Sequence, residues 1–301
     1  MTTTCSNCEA LDFRDSDPAT FKICSFLVNV LSHMYEQWVK SGSPLDFDWQ
    51  PVNACEITND FKVSDYEFIT LIWSTFTYEN ALGAKKTVTE PFGSIVKSTV
   101  DGNLFLVFRG SKSAADFLVD VETSPVSYLA KTLNPPPGIQ VGKGWYSVYS
   151  GLRESLLASF QSMRGENKLL TITGHSLGSA LATLAVPDAV ANSLRVRHYN
   201  SASPMVGLLS FKAYYESLKA IDSTSPGWQK TFRLVNAADS VPKFPESPAG
   251  YVHVGTSVAF NADYGSEKKI HDPCCSYAYA IYNPEHPCNP DFDQCATGAV
   301  K

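Results

Sequence analysis

Apolar residues between positions 20 and 41 fall on Cys24, Leu27, Val28, Leu31, Met34, Tyr35 and Trp38. That i, i+3, i+4, i+7 spacing predicts an amphipathic helix laid on a core. The stretch from Ser64 to about Glu79 reads as a second helix, capped by Ser64 or Asp65. The period then changes. Residues 94–100 (SIVKSTV) and 103–110 (NLFLVFRG) flank the turn pair Asp101-Gly102, which predicts a hairpin or tight strand pair. Residues 145–160 have a helical pattern, and the short apolar run 168–173 (KLLTIT) suits a buried strand.

Beyond this point strand and helix signals alternate: helix at 177–194, strand at 195–200, helix at 208–221, then strands at 231–237 and 251–260. Such alternation predicts an α/β fold, a mostly parallel sheet with helices on both faces. Ligands on such sheets sit beyond the carboxyl ends of the strands, so chemistry is to be sought there. The most loop-like stretches are 41–53 and 132–144, the latter with three consecutive prolines. Composition does not shift across either, so residues 1–301 read as one domain, without internal repeats or low-complexity tracts.

Composition narrows the function. The chain is 44% hydrophobic and 18% charged, too apolar and too weakly charged for disorder. With 24 Lys and Arg against 30 Asp and Glu, the net charge is −6, which argues against a nucleic-acid partner. No stretch approaches the roughly 18 uninterrupted apolar residues of a transmembrane helix. The N-terminal MTTTCSNCEALDF has neither a basic n-region nor an apolar h-region, so any export signal would already be removed.

Eight cysteines cluster near the two ends: Cys5, Cys8, Cys24 and Cys55, then Cys274, Cys275, Cys288 and Cys295. This distribution predicts disulfides that staple the termini, hence an extracellular protein, with reduced thiols in the cytoplasm as the alternative. Cys5-x-x-Cys8 resembles half a zinc site, but no second CxxC follows, and no metal is called for. Asp291 and Asp293 read as solvated surface rather than a calcium site.

Gly174-His175-Ser176-Leu177-Gly178 is a G-x-S-x-G sequence. A chain of this length contains one by accident roughly one time in ten, so its setting matters more than its letters. It follows the strand pattern KLLTIT and opens a helix pattern, as a nucleophile elbow requires. Small flanking residues allow a sharp turn that lifts the Ser176 hydroxyl above the sheet edge. The helix start offers the Leu177 N–H to a developing oxyanion.

A serine hydroxyl needs a histidine to take its proton, and the histidine needs an oriented acid. On this fold the order along the chain is Ser, Asp or Glu, then His. Asp239 lies just past a predicted strand, whereas Asp188 is inside a helix pattern and Asp222 follows one. His253, His271 and His286 follow Asp239. His253 sits mid-strand and His286 in a proline-flanked loop, so His271, between a loop and a predicted helix entry, is preferred as the base.

These residues stand among others that resemble a family. VFRGSKSAADFLVDV (107–121), KGWYSVY (143–149), GHSLG, SPMVG (203–207), NAADSVPKFP (236–245) and YVHVG (251–255) resemble the fungal-type (class 3) triacylglycerol lipases. The motifs run in order over about residues 90–285. The resemblance implies an α/β-hydrolase fold, lipid-ester hydrolysis, Ser176 as nucleophile, Asp239 as acid and His271 as base. It makes His253 a structural strand position, and it assigns the second oxyanion donor to Ser111, through its N–H and hydroxyl. It also implies a short helical lid at Ser113 to Glu122, with Phe117, Leu118 and Val121 on one face. A fixed surface helix is the alternative reading of that stretch. The expected substrate is an acylglycerol or another ester, met at a lipid–water interface, and no cofactor is required.

Two departures from the family pattern bear on substrate preference: SASP at 201–204 and the long, proline-rich span between Asp120 and Lys143. Carboxylesterase, phospholipase A1 and feruloyl esterase activities remain compatible with the same triad. From another class, a catalytically silent lipid-binding module of the same fold is the competing reading.

Overall fold

The computed structural model describes residues 5–44, 46–79, 85–111, 122–130, 136–165, 168–218, 230–246 and 250–297. Strands run β1 (Ser6–Glu9), β2 (Tyr66–Glu79), β3 (Lys85–Ser98), β4 (Leu104–Phe108), β5 (Pro125–Ser127) and β6 (Gln140–Gly142). They continue as β7 (Leu169–Gly174), β8 (Arg195–Ser201), β9 (Gly207–Leu208), β10 (Thr231–Asn236), β11 (Tyr251–Val252) and β12 (Thr256–Asp263). The main helices are α1 (Pro18–Lys40), α2 (Lys143–Ser162), α3 (Leu177–Ala191) and α4 (Leu209–Ser217).

Eight strands form the main sheet in the order β1-β12-β10-β8-β7-β4-β3-β2. The run from β4 through β7, β8 and β10 to β12 is parallel, and the outer pairings are antiparallel. This is the α/β-hydrolase architecture, with helices against both faces. A smaller antiparallel sheet, β11-β9-β6-β5, lies apart from it.

The alternation along β4 shows why both faces are covered. Phe105 and Val107 pack with Phe26, Leu27, Val30 and Met34 of α1. Leu104, Leu106 and Phe108 pack on the other face with the α2 and α3 side chains. A strand buried on both faces must be apolar throughout, and all five β4 residues are buried. Helix α1 starts where the Asp17 side chain accepts the Ala19 N–H and Pro18 occupies the first turn. It stops just before Gly42, whose φ of +89° only glycine adopts readily.

The helix expected from Ser64 to Glu79 is a correction: residues 66–79 form strand β2, paired with β3 along nearly its whole length. Its run of Tyr, Phe, Ile, Thr and Trp favours a pleated surface. Ile72 and Ser74 are buried, whereas Thr75 and Thr77 face solvent and hydrogen-bond Thr89 and Thr87 across the strand pair, both at 2.8 Å. Two register shifts, between Phe68 and Thr70 and between Ile72 and Trp73, blur the period of two that would have marked it as a strand. The single strand expected at 251–260 is two strands in different sheets. The break at Gly255 has φ +70°, and a Cβ there would strike Thr231.

One buried and one half-buried histidine link this fold to pH. His198 on β8 is held by the Tyr215 hydroxyl at 2.8 Å and the Asn200 amide at 3.0 Å. Burial, then the Arg233 charge, pushes it down to about 3. His253 contacts the Pro242 carbonyl at 2.7 Å and is lowered to about 4 by the same two causes. Both stay neutral in the fold but take up protons near pH 6.5 when the chain unfolds, so their stabilisation is complete above that pH. Stability is therefore expected to fall as pH drops from about 6.5 towards 5, read as the urea midpoint. His253→Gln, whose amide can still donate to Pro242, should make the fall shallower. Equal wild-type midpoints at the two pH values would contradict this.

Candidate active site

Strand β7 ends at Gly174, and α3 begins at Leu177, leaving two residues for the reversal. Ser176 takes φ 58° and ψ −127°, a conformation that costs a non-glycine residue about 1–3 kcal/mol. Its neighbours make the turn feasible. A Cβ on Gly174 would overlap the Gly178 backbone, and one on Gly178 would lie 2.5 Å from the carbonyl oxygens of Phe108 and Arg109. Ser179 ties the turn down by donating its hydroxyl towards the carbonyls of Gly174 (2.7 Å) and Ser201 (2.6 Å). At the first helical position Leu177 has no carbonyl four residues back in the helix to receive its N–H.

Asp239 leaves the end of β10 through a tight turn in which its own N–H meets the Asn236 carbonyl at 3.0 Å. The carboxylate is fully buried and has three donors in place. The Val241 N–H reaches Oδ1 at 2.9 Å, the Tyr277 hydroxyl reaches Oδ2 at 2.6 Å, and His271 Nδ1 lies 2.7 Å from Oδ2. Facing a carboxylate, Nδ1 carries the proton, and Nε2 is left as the acceptor of neutral His271.

Burial and the neighbouring Asp239 charge hold the Tyr277 phenol well above its ordinary range, so it remains a donor. The His271 ring stands 4.6 Å from that of His175, the residue beside Ser176. Burial, and then repulsion from His271 whenever that ring is protonated, push His175 well below its usual range. Ser176 Oγ and His271 Nε2 are both buried, and neither has a hydrogen-bond partner among the described residues. Catalytic contacts of this kind commonly tighten only when substrate is bound.

The other sequence candidates lie elsewhere. His253 sits between β11 and β12, and His286 is an exposed loop residue. Asp188 is spoken for by Arg153 at 2.7 Å and Tyr149 at 2.6 Å. Asp222 and the proposed lid residues Phe117, Leu118 and Val121 fall outside the described residues. Ser111 follows β4 in a loop that presses on the elbow, since a Cβ on Gly110 would be 3.3 Å from Ser176 Cβ.

The disulfides converge on the histidine segment. Cys55–Cys274 and Cys275–Cys295 both leave from within the π-helical turn Pro273–Ala278, and Cys5–Cys288 joins segments near the two ends of the chain. Asp272 caps the same turn by accepting the N–H groups of Cys274 and Cys275. Cys8 and Cys24 are free thiols, the first exposed and the second buried.

Residues 105–248 match the family model described as lipase (class 3). The matched segment, just under half of the chain, holds the serine turn and Asp239 and is similar to the class 3 lipases. The chain is 29% identical over 209 residues to a lipase of Rhizomucor miehei, covering 67% of this chain and 49% of that protein. It is 30% identical over 175 residues to a secreted mono- and diacylglycerol lipase A of Penicillium cyclopium, covering 56% and 51%. The chain spans about half the length of the curated relatives it matches. The solved Rhizomucor miehei triacylglyceride lipase superposes with a TM-score of 0.57 at 22% identity over 82% of each chain, a likeness of fold.

In this site, Tyr277 and His175 are the neighbours of the catalytic candidates that sequence reasoning left without a role. Tyr277 is visible in the sequence only as an aromatic six residues after His271, and nothing there says that it reaches Asp239. Tyr277→Phe removes one donor from a buried carboxylate. It is expected to lower stability by about 1.5–3 kcal/mol in urea unfolding, with an unchanged circular dichroism spectrum. A loss under about half a kcal/mol would mean that Asp239 does not need this donor.

Proposed function

We propose that the protein is an exported serine ester hydrolase acting on acylglycerols. The observation that carries this reading is the buried Asp239–His271 pair, 2.7 Å apart, beside a serine on a strained strand-to-helix turn. The similarity of residues 105–248 to class 3 lipases and three disulfides support it, the latter because such bonds persist in oxidising compartments. Among the described residues no helix is long and apolar enough to cross a membrane.

In this mechanism Ser176 Oγ attacks the ester carbonyl while His271 Nε2 takes its proton. Asp239 holds the imidazole through Nδ1 and stabilises its positive charge. The Leu177 and Ser111 N–H groups face the oxyanion of the tetrahedral intermediate. The protonated His271 then gives its proton to the departing alcohol, leaving an acyl-enzyme on Ser176. Water, deprotonated by His271, releases the fatty acid and restores the serine.

Ser176→Ala is expected to lower hydrolysis of tributyrin and p-nitrophenyl butyrate by about three orders of magnitude or more, with the melting temperature kept. A folded variant with wild-type turnover would sink the assignment, and a wild type inactive on every ester would favour the silent binding module. Parallel assays on a phospholipid and a feruloyl ester distinguish the other hydrolase readings. Because two disulfides brace the segment after His271, mild dithiothreitol treatment is expected to reduce turnover before the far-ultraviolet circular dichroism of the sheet changes. Simultaneous loss of both signals would remove that special role for the bridges.

A further inference from the structure

Arg109, directly after β4, is 2% exposed and belongs to none of the groups assigned above. Each of its three guanidinium nitrogens makes a hydrogen bond. Nη2 pairs with the Glu90 carboxylate at 2.8 Å, Nε donates to the Pro91 carbonyl at 2.7 Å, and Nη1 donates to the Gly110 carbonyl at 2.8 Å. Its central carbon lies 3.3 Å from the Tyr35 ring centroid and 4.3 Å from that of Phe92. Tyr35 closes the arrangement by donating its hydroxyl to Glu90 at 3.0 Å.

A purely structural purpose would be to bind β3 to β4, but the backbone already does so. The ladder runs from Lys97 opposite Leu104 to Gly93 opposite Phe108, and the Arg109 N–H extends it to the Phe92 carbonyl at 2.9 Å. The contact left unexplained is the one from Nη1 to the carbonyl of the very next residue. That carbonyl shares a peptide unit with the Ser111 N–H. A trans peptide is planar with its C=O and N–H pointing in opposite directions, so holding one end sets the direction of the other. The same loop lies against the elbow, with the Gly110 Cβ direction 3.2 Å from the His175 carbonyl oxygen and 3.3 Å from Ser176 Cβ.

We propose that Arg109 is the positioning residue of the oxyanion site: it grips the Gly110 carbonyl and so aims the Ser111 N–H, while Glu90 and Tyr35 lock the guanidinium. This rests on the serine hydrolase reading and on Ser111 as a donor. The cation also polarises the peptide it holds, which makes the N–H a stronger donor where the dielectric is low. A lysine keeps the charge but lacks the fork that meets a carboxylate and two carbonyls at once. Preorganisation of this kind acts on the transition state rather than on substrate binding, so its loss appears in kcat.

The test measures kcat and KM on p-nitrophenyl butyrate, per active site titrated with a diethyl p-nitrophenyl phosphate burst, for wild type, Arg109→Lys and Glu90→Gln. An alkyl trifluoromethyl ketone, whose serine adduct carries an oxyanion, is assayed alongside. Arg109→Lys is expected to lower kcat per titrated site about 10- to 100-fold, with KM within about twofold and the ketone weakened by a similar factor. Glu90→Gln, which leaves the guanidinium in place, is expected to show the same split at about three- to tenfold.

A variant that is merely destabilised loses titratable sites and keeps kcat per site, and that result, or a change confined to KM, overturns the proposal. If Arg109→Lys does not fold, Glu90→Gln decides by the same criteria. A wild type without ester turnover brings down the hydrolase reading and this proposal together. An active wild type with unaffected variants brings down this proposal alone.

Discussion

The backbone of Ser176, at φ 58° and ψ −127°, is a conformation that the chain would relax if it were free to do so. It persists because α3, nearly all of it buried, is pressed against the end of β7 so closely that positions 174 and 178 have no room for a Cβ. Relaxing Ser176 would pull α3 out of the core, where Ala180, Leu181, Leu184 and Ala185 are fully enclosed. Core packing far larger than the local strain therefore holds the serine up at the sheet edge. The β4 loop, the Asp239 turn and the histidine segment all meet at that raised point.

The histidine segment needs a different kind of support. Beyond β12 the chain forms short helical turns rather than long elements, and a short turn has few hydrogen bonds of its own to hold it. Two bridges and the Tyr277 hydroxyl tie the segment to the rest of the chain, and the Asp272 cap fixes its first turn. Cys55–Cys274 closes a separation of 219 residues, which restricts the unfolded chain strongly. The same ties keep the imidazole against Asp239, so stability and alignment of the base come from one set of contacts.

Legibility in the sequence followed how local each cause is. Strand β7, the elbow and α3 were readable because an apolar run, two glycines and a helix pattern stand side by side. The central parallel strands and α1 were readable from period and apolar content. Strand β2 was misread as a helix because its bulges break the alternation, and pairing with β3 outweighed the local pattern. The break at Gly255 was invisible because it answers to Thr231, which is remote in the chain. Asp239 and His271 were singled out by chain order and setting, while the Tyr277 contact and the Arg109–Glu90–Tyr35 cluster carry no local signature.

By itself the sequence determined the α/β alternation, the family motifs, the serine turn and the residue types available for acid and base. These depend on spacing, side-chain size and backbone freedom within a few residues. Tertiary structure alone decided which cysteines pair, which donors reach Asp239, which histidine of three lies beside the serine turn, and which carbonyls Arg109 grips. Each of those is a distance between segments tens to hundreds of residues apart, and such distances exist only once both faces of the sheet are packed. The cysteine pattern shows the division most clearly: two clusters in the sequence announced staples, but only packing brought Cys55 to Cys274 and left Cys8 and Cys24 as thiols.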